Sequence, residues 1–147
     1  MRIVFLHGTE TGTAEIVSED LQASVSGAHE TEIASLEDVT PDTLENGPLY
    51  VFVCSTFGSG DLPSTAEEFV STLKQSKPDL SHVSFAVFGL GDRSFGDTFN
   101  QGSEQVMQAM TACKARMVGE RGIADASADD LPEDVAVPWL EGILAKV

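Results

Sequence analysis

The feature that most constrains the fold of this chain is an alternation of short apolar runs with segments whose apolar residues recur at helical spacing. The clearest run covers residues 49–54, is apolar or aromatic at every position, and is typical of a strand buried on both faces. Similar runs predict strands at residues 3–6, 83–88 and 115–118, and a more polar run predicts an edge strand at residues 31–35.

Four segments between these runs carry apolar residues three and four positions apart, which places them on one face of a helix. Ser64 and Glu67 form a capping-box pattern at the start of the second helix, and Pro132 marks the start of the fourth. The apolar faces comprise Ala14, Val17, Leu21 and Val25; Ala66, Phe69, Val70 and Leu73; Val106, Ala109, Met110 and Cys113; and Val135, Trp139, Leu140, Ile143 and Leu144.

Five strands alternating with four helices predict an α/β fold in which a parallel sheet has helices on both faces, a three-layer sandwich. A closed barrel needs about eight such units, so we expect a doubly wound five-stranded sheet with the strand order 2-1-3-4-5. Residues 1–147 are expected to form a single domain, because a chain of this length builds one core.

The charge is strongly negative and unevenly distributed. Eight Lys and Arg stand against 24 Asp and Glu, for a net charge of −16, and no Lys or Arg occurs between Arg2 and Lys74. This composition excludes nucleic-acid binding through a basic patch and attraction to an anionic membrane. No apolar run approaches the roughly 20 residues of a membrane helix. Acidity alone is usually a solubility feature, and a field that steers a basic protein partner is the alternative interpretation.

The cysteines and histidines do not form a predicted metal or catalytic site. Cys54 and Cys113 are far apart and lack CxxC spacing, so we expect two buried thiols in a reduced, cytoplasmic environment. His7, His29 and His82 are interpreted as surface or structural residues, and no cluster has the spacing of metal ligands.

Ligands of a doubly wound sheet bind beyond the carboxyl ends of the strands, here between the first and third. Residues 9–14, TETGTA, follow the first strand and lead into a helix. The hydroxyls of Thr9, Thr11 and Thr13, with the N–H groups of the helix start, predict an anion cradle. Because no Walker lysine is present, a terminal monophosphate fits better than a polyphosphate.

The loops after the third and fourth strands each place a phenylalanine among small and polar residues. Residues 55–61 read STFGSGD and contain Phe57, and residues 89–99 read GLGDRSFGDTF and contain Phe95. Two aromatic rings on facing loops and one phosphate cradle describe a flat aromatic ligand with a phosphate tail. FMN fits this description, and Ser55 is placed to add a hydroxyl to the cradle.

These three loops resemble, in order and spacing, those of the flavodoxin family, most of all its short MioC-like branch, and those of the FMN domains of diflavin reductases. The resemblance is carried by STFGSGDLPSTAEEF at residues 55–69, KPDLSHVSFAVFGLGDRSFGDTF at 77–99 and DLPEDVAVPWL at 130–140. It extends over almost the whole chain. There is no room for the insertion that splits the last strand of long-chain flavodoxins, so the chain is similar to the short type.

The resemblance implies that the chain binds FMN and that the first loop, with help from Ser55, holds its phosphate. The residues concerned are Thr9, Glu10, Thr11, Gly12, Thr13 and Ala14. The family motif often ends in Thr or Ser, so Ala14 provides one hydroxyl fewer, as in the diflavin-type domains.

The resemblance also assigns the residues around the flavin ring. Phe57 would cover the inner face and Phe95 the outer face, and Thr56 belongs to the same cofactor-binding loop as Phe57. The carbonyl of Gly58 would accept a hydrogen bond from flavin N5. Backbone groups of the third loop would contact the pyrimidine edge, namely those of Asp92, Asp97 and Phe99.

The function implied is electron transfer without catalytic turnover, by a monomer. The donor would be an NADPH-dependent flavodoxin or ferredoxin reductase with a basic face, and the acceptor an iron–sulfur or radical enzyme. Carboxylates near the ring would lower the flavin's potentials, at roughly 0.5–2 kcal/mol each. The acidic residues in or beside the predicted site are Glu10, Glu15, Asp61, Asp92 and Asp97, against the single cation Arg93.

Two alternatives share the fold. An FMN-dependent NAD(P)H:quinone reductase would need a nicotinamide pocket and usually a dimer, and an interaction module would have lost its flavin. A receiver-type phosphorylation switch is excluded, since residues 7–9, 54–55 and 117–119 lack its acids and its lysine.

Overall fold

The structure, a computed structural model, describes residues 2–8, 12–55, 64–91, 101–125 and 131–147. Its strands are β1 (Arg2–Gly8), β2 (Glu30–Ser35), β3 (Leu49–Ser55), β4 (Ser84–Gly91), β5 (Arg116–Met117) and β6 (Gly122–Asp125). Its helices are α1 (Thr13–Val25), α2 (Ser64–Ser76), α3 (Gln101–Ala112) and α4 (Pro132–Leu144), with short 3-10 turns at Leu36–Asp38 and Pro41–Thr43. Within these ranges, no helix has both the length and the apolar character needed to span a bilayer.

The sheet is parallel throughout and has the order β2-β1-β3-β4-β5, which confirms the predicted fold class and strand order. The runs predicted at residues 3–6, 31–35 and 49–54 lie within β1, β2 and β3, and the run at 83–88 overlaps β4 from Ser84 onward. Helices α2 and α4 begin at the residues indicated by the capping patterns, Ser64 and Pro132. The residues of β3 are buried except at its carboxyl end, as expected for the central strand of a covered parallel sheet.

The fifth strand position differs from the prediction of one continuous strand at residues 115–118. Two segments occupy it, β5 and β6, which both pair with β4 and are separated by residues 118–121. Gly119 lies in this break with a φ of +68°, a conformation that favours glycine. The four-residue strand β6 escaped prediction because glycine begins it and aspartate ends it, and both residue types are poor strand formers.

Alternate strand residues supply two separate cores. On one face Phe52 and Phe85 pack against α2 and α3 residues such as Phe69, and the Phe52 and Phe69 ring centroids are 5.7 Å apart. On the other face Val51 and Val53 pack against α1 and α4. The predicted helical faces therefore point inward on both sides of the sheet.

Helix α4 lies very close to the broken fifth strand. The Trp139 ring centroid is 5.2 Å from that of Phe88, and Trp139 Nε1 donates a 3.0 Å hydrogen bond to the Glu120 carbonyl. Gly122 pairs with Phe88 between the two elements. A Cβ at Gly122 would lie 2.5 Å from Phe88 Cδ1 and 2.7 Å from Trp139 Cδ1, so only glycine fits there without displacement.

We expect Gly122→Ala to lower the free energy of unfolding by about 1–3 kcal/mol, because the added methyl group overpacks this contact. The matched control is Gly142→Ala in α4, where a Cβ would meet no described atom within 4 Å. Alanine should there be neutral or stabilising by up to about 1 kcal/mol. Urea unfolding followed by far-UV circular dichroism measures both changes, and equal destabilisation by the two variants would contradict the packing argument.

We expect both cysteines to be inert to thiol reagents in the native protein. Burial raises the pKa of the Cys54 thiol to about 12 and also raises the pKa of Cys113. At pH 8 only about one Cys54 thiol in 10⁴ would be the reactive thiolate. Reaction with Ellman's reagent should release no thionitrobenzoate before unfolding and two equivalents in urea, and rapid native reaction of either thiol would contradict this expectation.

Candidate functional site

The carboxyl ends of β1, β3 and β4 lie side by side. In the register of the sheet, Gly8 is opposite Cys54, and Ser55 is opposite Leu90. These are the strands that precede the three predicted ligand loops. Between β1 and β3 the direction in which successive strands are added to the sheet reverses. The structure therefore places the starts of all three loops at the switch point of the sheet, where ligands of this architecture bind.

Most predicted contact residues lie outside the described residues. These are Thr9, Glu10, Thr11, Thr56, Phe57, Gly58, Asp92, Phe95, Asp97 and Phe99. Gly12, Thr13, Ala14 and Ser55 are described, and they lie at the amino terminus of α1 and the carboxyl end of β3. Their roles toward a ligand stay predictions.

The start of α1 has the backbone geometry of an anion cradle. Gly12 precedes the helix in the left-handed region, with φ +92° and ψ −4°, and its carbonyl accepts the first helical hydrogen bond from Ile16 N at 3.1 Å. N–H groups at such a helix start point along the axis and favour a bound anion. A Cβ at Gly12 would meet no described atom within 4 Å, so the positive φ, and not a close contact with a described residue, is what favours glycine here.

Ala14 shows why this cradle depends on the backbone. Its side chain is completely buried in the core between α1 and the sheet, and its carbonyl accepts a 2.8 Å hydrogen bond from Ser18 Oγ. The methyl group of Ala14 therefore belongs to the core, while its N–H remains at the second position of the helix. Phosphate binding here would use the helix N–H groups together with the hydroxyls of Thr13 and Ser55.

Gly8 brings the second helix close to the cradle. A Cβ at Gly8 would lie 2.9 Å from Ala66 Cβ and 3.3 Å from Leu36 Cδ1, so β1 and the first turn of α2 are in tight contact. Sequence analysis did not identify this role of Gly8. The only signal was its position at the end of the first apolar run, and the contact itself depends on elements 28 and 58 residues away in the chain.

The end of the sheet that carries the site is negatively charged. Each helix has an acidic residue in its first turn: Glu15 in α1, Glu67 in α2, Glu104 in α3, and Glu133 and Asp134 in α4. The described Lys and Arg residues lie mainly where strands begin and helices end, at Arg2, Lys74, Lys77, Lys114, Arg116 and Lys146. Arg121, which donates a hydrogen bond to Ser103 Oγ, is the exception. The charge of the molecule is thus polarised along the strand direction.

His7 lies one residue before the end of β1 and is 9% exposed. Its Nδ1 atom makes no hydrogen bond in the described part of the chain. Burial lowers the pKa of His7, and the nearby carboxylates of Glu15, Glu19 and Asp38 act in the opposite direction. Among the described residues, no group of His, Cys, Asp and Glu has the geometry of a metal site.

The residues that are described fit a ligand with a terminal phosphate. The helix start supplies N–H donors for the phosphate, and the carboxyl ends of β1, β3 and β4 supply the platform beside it. The acidic first turns around this platform disfavour a second large anion. One phosphate held by neutral donors is therefore the anionic group that the site accommodates best.

Comparison with known proteins agrees with this geometry. The family model for flavodoxin matches residues 5–139. MioC of Escherichia coli K12 is 31% identical over 138 residues, which cover 94% of this chain and 92% of MioC. NADPH-dependent diflavin oxidoreductase 1 of Emericella nidulans is 36% identical over 141 residues, and the chain spans only 21% of its length.

Solved structures extend the comparison to the fold. A flavodoxin from Pseudomonas aeruginosa, solved as a mutant with one cysteine replaced by serine, superposes with a TM-score of 0.81 at 34% identity, with 99% of each chain covered. Flavodoxin 2 from Bacillus cereus superposes with a TM-score of 0.82 at 21% identity, which is a likeness of fold alone. Flavodoxin-family proteins bind FMN, the ligand that the loop sequences predict. On its sequence match, its strand order and its site, the chain belongs to the flavodoxin family, the FMN-binding electron-transfer proteins.

Proposed function

We propose that this chain is a free-standing electron carrier that holds FMN at the carboxyl ends of β1, β3 and β4. It would take single electrons from an NADPH-dependent reductase with a basic face and deliver them to an iron–sulfur or radical enzyme. The observation that carries the proposal is the left-handed Gly12 turn at the start of α1, at the switch point of the sheet. Bound FMN supplies a centre that accepts and releases one or two electrons.

The chain's own residues would position the cofactor and adjust its electrostatic environment. The helix N–H groups after Gly12, with the hydroxyls of Thr13 and Ser55, would bind the phosphate and so fix the position of the ring. Phe57 and Phe95 would exclude water from its two faces. Carboxylates at about 8 Å would each disfavour added negative charge by roughly 0.5–2 kcal/mol, on the order of 20–90 mV for one electron.

The charge polarisation supports docking of a basic partner at the same end. The acidic first turns of all four helices surround the end where the three loops begin, and most described basic residues lie at the other end. Such a field steers a basic protein toward the site and orients it. MioC and the P. aeruginosa flavodoxin, which match this chain over nearly their full lengths, favour a separate carrier over one domain of a reductase.

We expect Gly12→Ala to weaken FMN binding at least about fivefold, because alanine disfavours the left-handed turn that orients the helix N–H groups. The matched control is Gly47→Ala. Gly47 also has a positive φ (+119°) and open space at its Cβ, but it lies before β3, at the opposite end of the sheet. Visible absorption titration with FMN measures the affinities.

A flavin spectrum that does not change at excess FMN would overturn the proposal. Equal losses of affinity in the two glycine variants would overturn the role of the Gly12 turn. Stepwise reduction of the loaded protein should proceed through two resolved one-electron stages. Steady oxidation of NAD(P)H by the pure protein, with no reductase added, would instead support the quinone reductase.

We expect the rate of electron transfer from an NADPH-dependent flavodoxin reductase to fall steeply as salt is added, because screening shortens the reach of the acidic field. Glu67→Gln, in the first turn of α2, should slow transfer at low salt at least twofold. Glu30→Gln at the start of β2 removes the same charge from the opposite end and serves as the control. Stopped-flow absorption measures the rates, and rates independent of ionic strength would contradict electrostatic docking.

A further inference from the structure

Gly8 is the last residue of β1, and the first predicted FMN loop begins directly after it. Its backbone does not require glycine, because Gly8 lies in a strand and its φ is not positive. Val4 and Leu6 fill the same face of β1 with side chains that belong to the core shared with α2. The next position on that face is glycine, which in a strand marks a close approach of another element.

Three elements occupy the space that a side chain at Gly8 would need. A Cβ there would lie 2.9 Å from Ala66 Cβ in α2, 3.3 Å from Leu36 Cδ1 in the 3-10 turn after β2, and 3.6 Å from Cys54 Sγ in β3. All three of these residues are at most 1% exposed. The end of the Leu36 side chain can rotate away, whereas Ala66 Cβ is attached directly to the backbone of α2 and moves only with the helix.

The segment between β3 and α2 carries the second predicted loop, and both of its ends are held at Gly8. The segment begins one residue after Cys54, which pairs with Gly8 in the register of the sheet. It ends where α2 begins, and the third residue of α2, Ala66, packs against Gly8. The contact at Gly8 therefore sets the spacing of the strand and helix ends that carry the first two loops.

We propose that Gly8 is a positioning residue for FMN and that its contact with Ala66 sets the distance between the predicted phosphate loop and the predicted ring loop. The inference rests on the proposed function, because it concerns how the same site holds FMN. FMN carries its phosphate and its ring on one molecule, so both are bound together only when the two loops have the matching spacing. A site that already has this spacing spends no binding energy on reaching it.

A side chain at Gly8 would change this spacing. The added methyl group would push the first turn of α2 away from β1, because Ala66 cannot move independently of its helix. Binding of FMN would then either restore the original spacing at a cost in free energy or lose part of its contacts with one loop. A smaller residue at the position of Ala66 would make room for the methyl group and remove this cost.

The test is a double-variant cycle of Gly8→Ala and Ala66→Gly in the full chain. Gly8→Ala should weaken FMN binding at least about fivefold, because the methyl group overpacks the contact. Addition of Ala66→Gly to Gly8→Ala should recover most of the lost affinity, a coupling that independent sites do not show. Visible absorption titration with FMN, in buffer where all four proteins are folded, measures the dissociation constants.

Urea unfolding of the four proteins without FMN separates positioning from packing alone. We expect a coupling between the two substitutions in the free energy of unfolding as well, because the contact exists without the cofactor. A double variant that regains stability but no FMN affinity would show that the contact serves packing only, and would overturn the inference.

Ala66→Val keeps the inference testable if Gly8→Ala does not fold. It adds two methyl groups to the same contact from the side of α2 and leaves β1 and the first predicted loop unchanged. We expect it to weaken FMN binding at least about fivefold, and an affinity within twofold of the wild-type value would contradict the inference.

Two controls test whether the effect belongs to this contact. Gly12→Ala acts through the turn before α1, so Ala66→Gly should not restore its affinity for FMN. Gly122→Ala overpacks a contact with α4 instead, and it should weaken FMN binding less than about twofold. Rescue of Gly12→Ala by Ala66→Gly, or equal losses in Gly122→Ala and Gly8→Ala, would overturn the inference.

The two proposals fail in distinguishable ways. If the wild-type protein binds FMN and Gly8→Ala binds it equally tightly, the positioning role is wrong and the carrier function is unaffected. If the wild-type protein does not bind FMN, the proposed function is wrong, and this inference with it.

Discussion

The rest of the structure depends on the parallel register that aligns β1, β3 and β4. Because helices cover both faces of these strands, the strand side chains are buried in the two cores. Only the ends of the strands are therefore able to contact a ligand. The register then sets Gly8 beside Cys54 and Ser55 beside Leu90. Three loops that are distant in the chain consequently start at one edge, and the tight contact of Gly8 with Ala66 brings the first turn of α2 there as well.

The acidic residues at this edge serve folding and function in different ways. A carboxylate in the first turn of a helix is stabilised by the positive end of the helix dipole, so Glu15, Glu67 and Glu104 fit the helices that carry them. The same helix end in α1 is the predicted phosphate site, where Glu15 opposes a second negative charge. Phosphate binding would therefore come from N–H and hydroxyl donors at short range, while under the proposed function the carboxylates would act over longer distances on the flavin potential and on docking.

Local sequence patterns were sufficient to predict the helical faces and the starts of α2 and α4, because each depends on spacing within one segment. The strand order followed from the alternation of strands and helices along the whole chain, which fits a doubly wound sheet. Strand β6 was not predicted. Its first residue, Gly122, is glycine because Phe88 of β4 and Trp139 of α4 leave no room for a side chain, and this contact cannot be read from the local sequence. Gly8 was missed for the same reason. The flavin-flanking roles of Phe57 and Phe95 stay predictions, since they rest on loop chemistry and on the family resemblance.

The alternation of side chains along β1 explains why a histidine lies at the end of the core. Ile3 and Phe5 point into the core shared with α1 and α4, and His7 is the next residue on that face. At His7 the core ends, because the first turn of α1 lies nearby and carries the charged Glu15. An apolar residue here would extend the core, whereas an imidazole keeps a polar nitrogen beneath the carboxylates. The same position in the strand thus closes the core and places a titratable group next to the carboxylates of Glu15, Glu19 and Asp38.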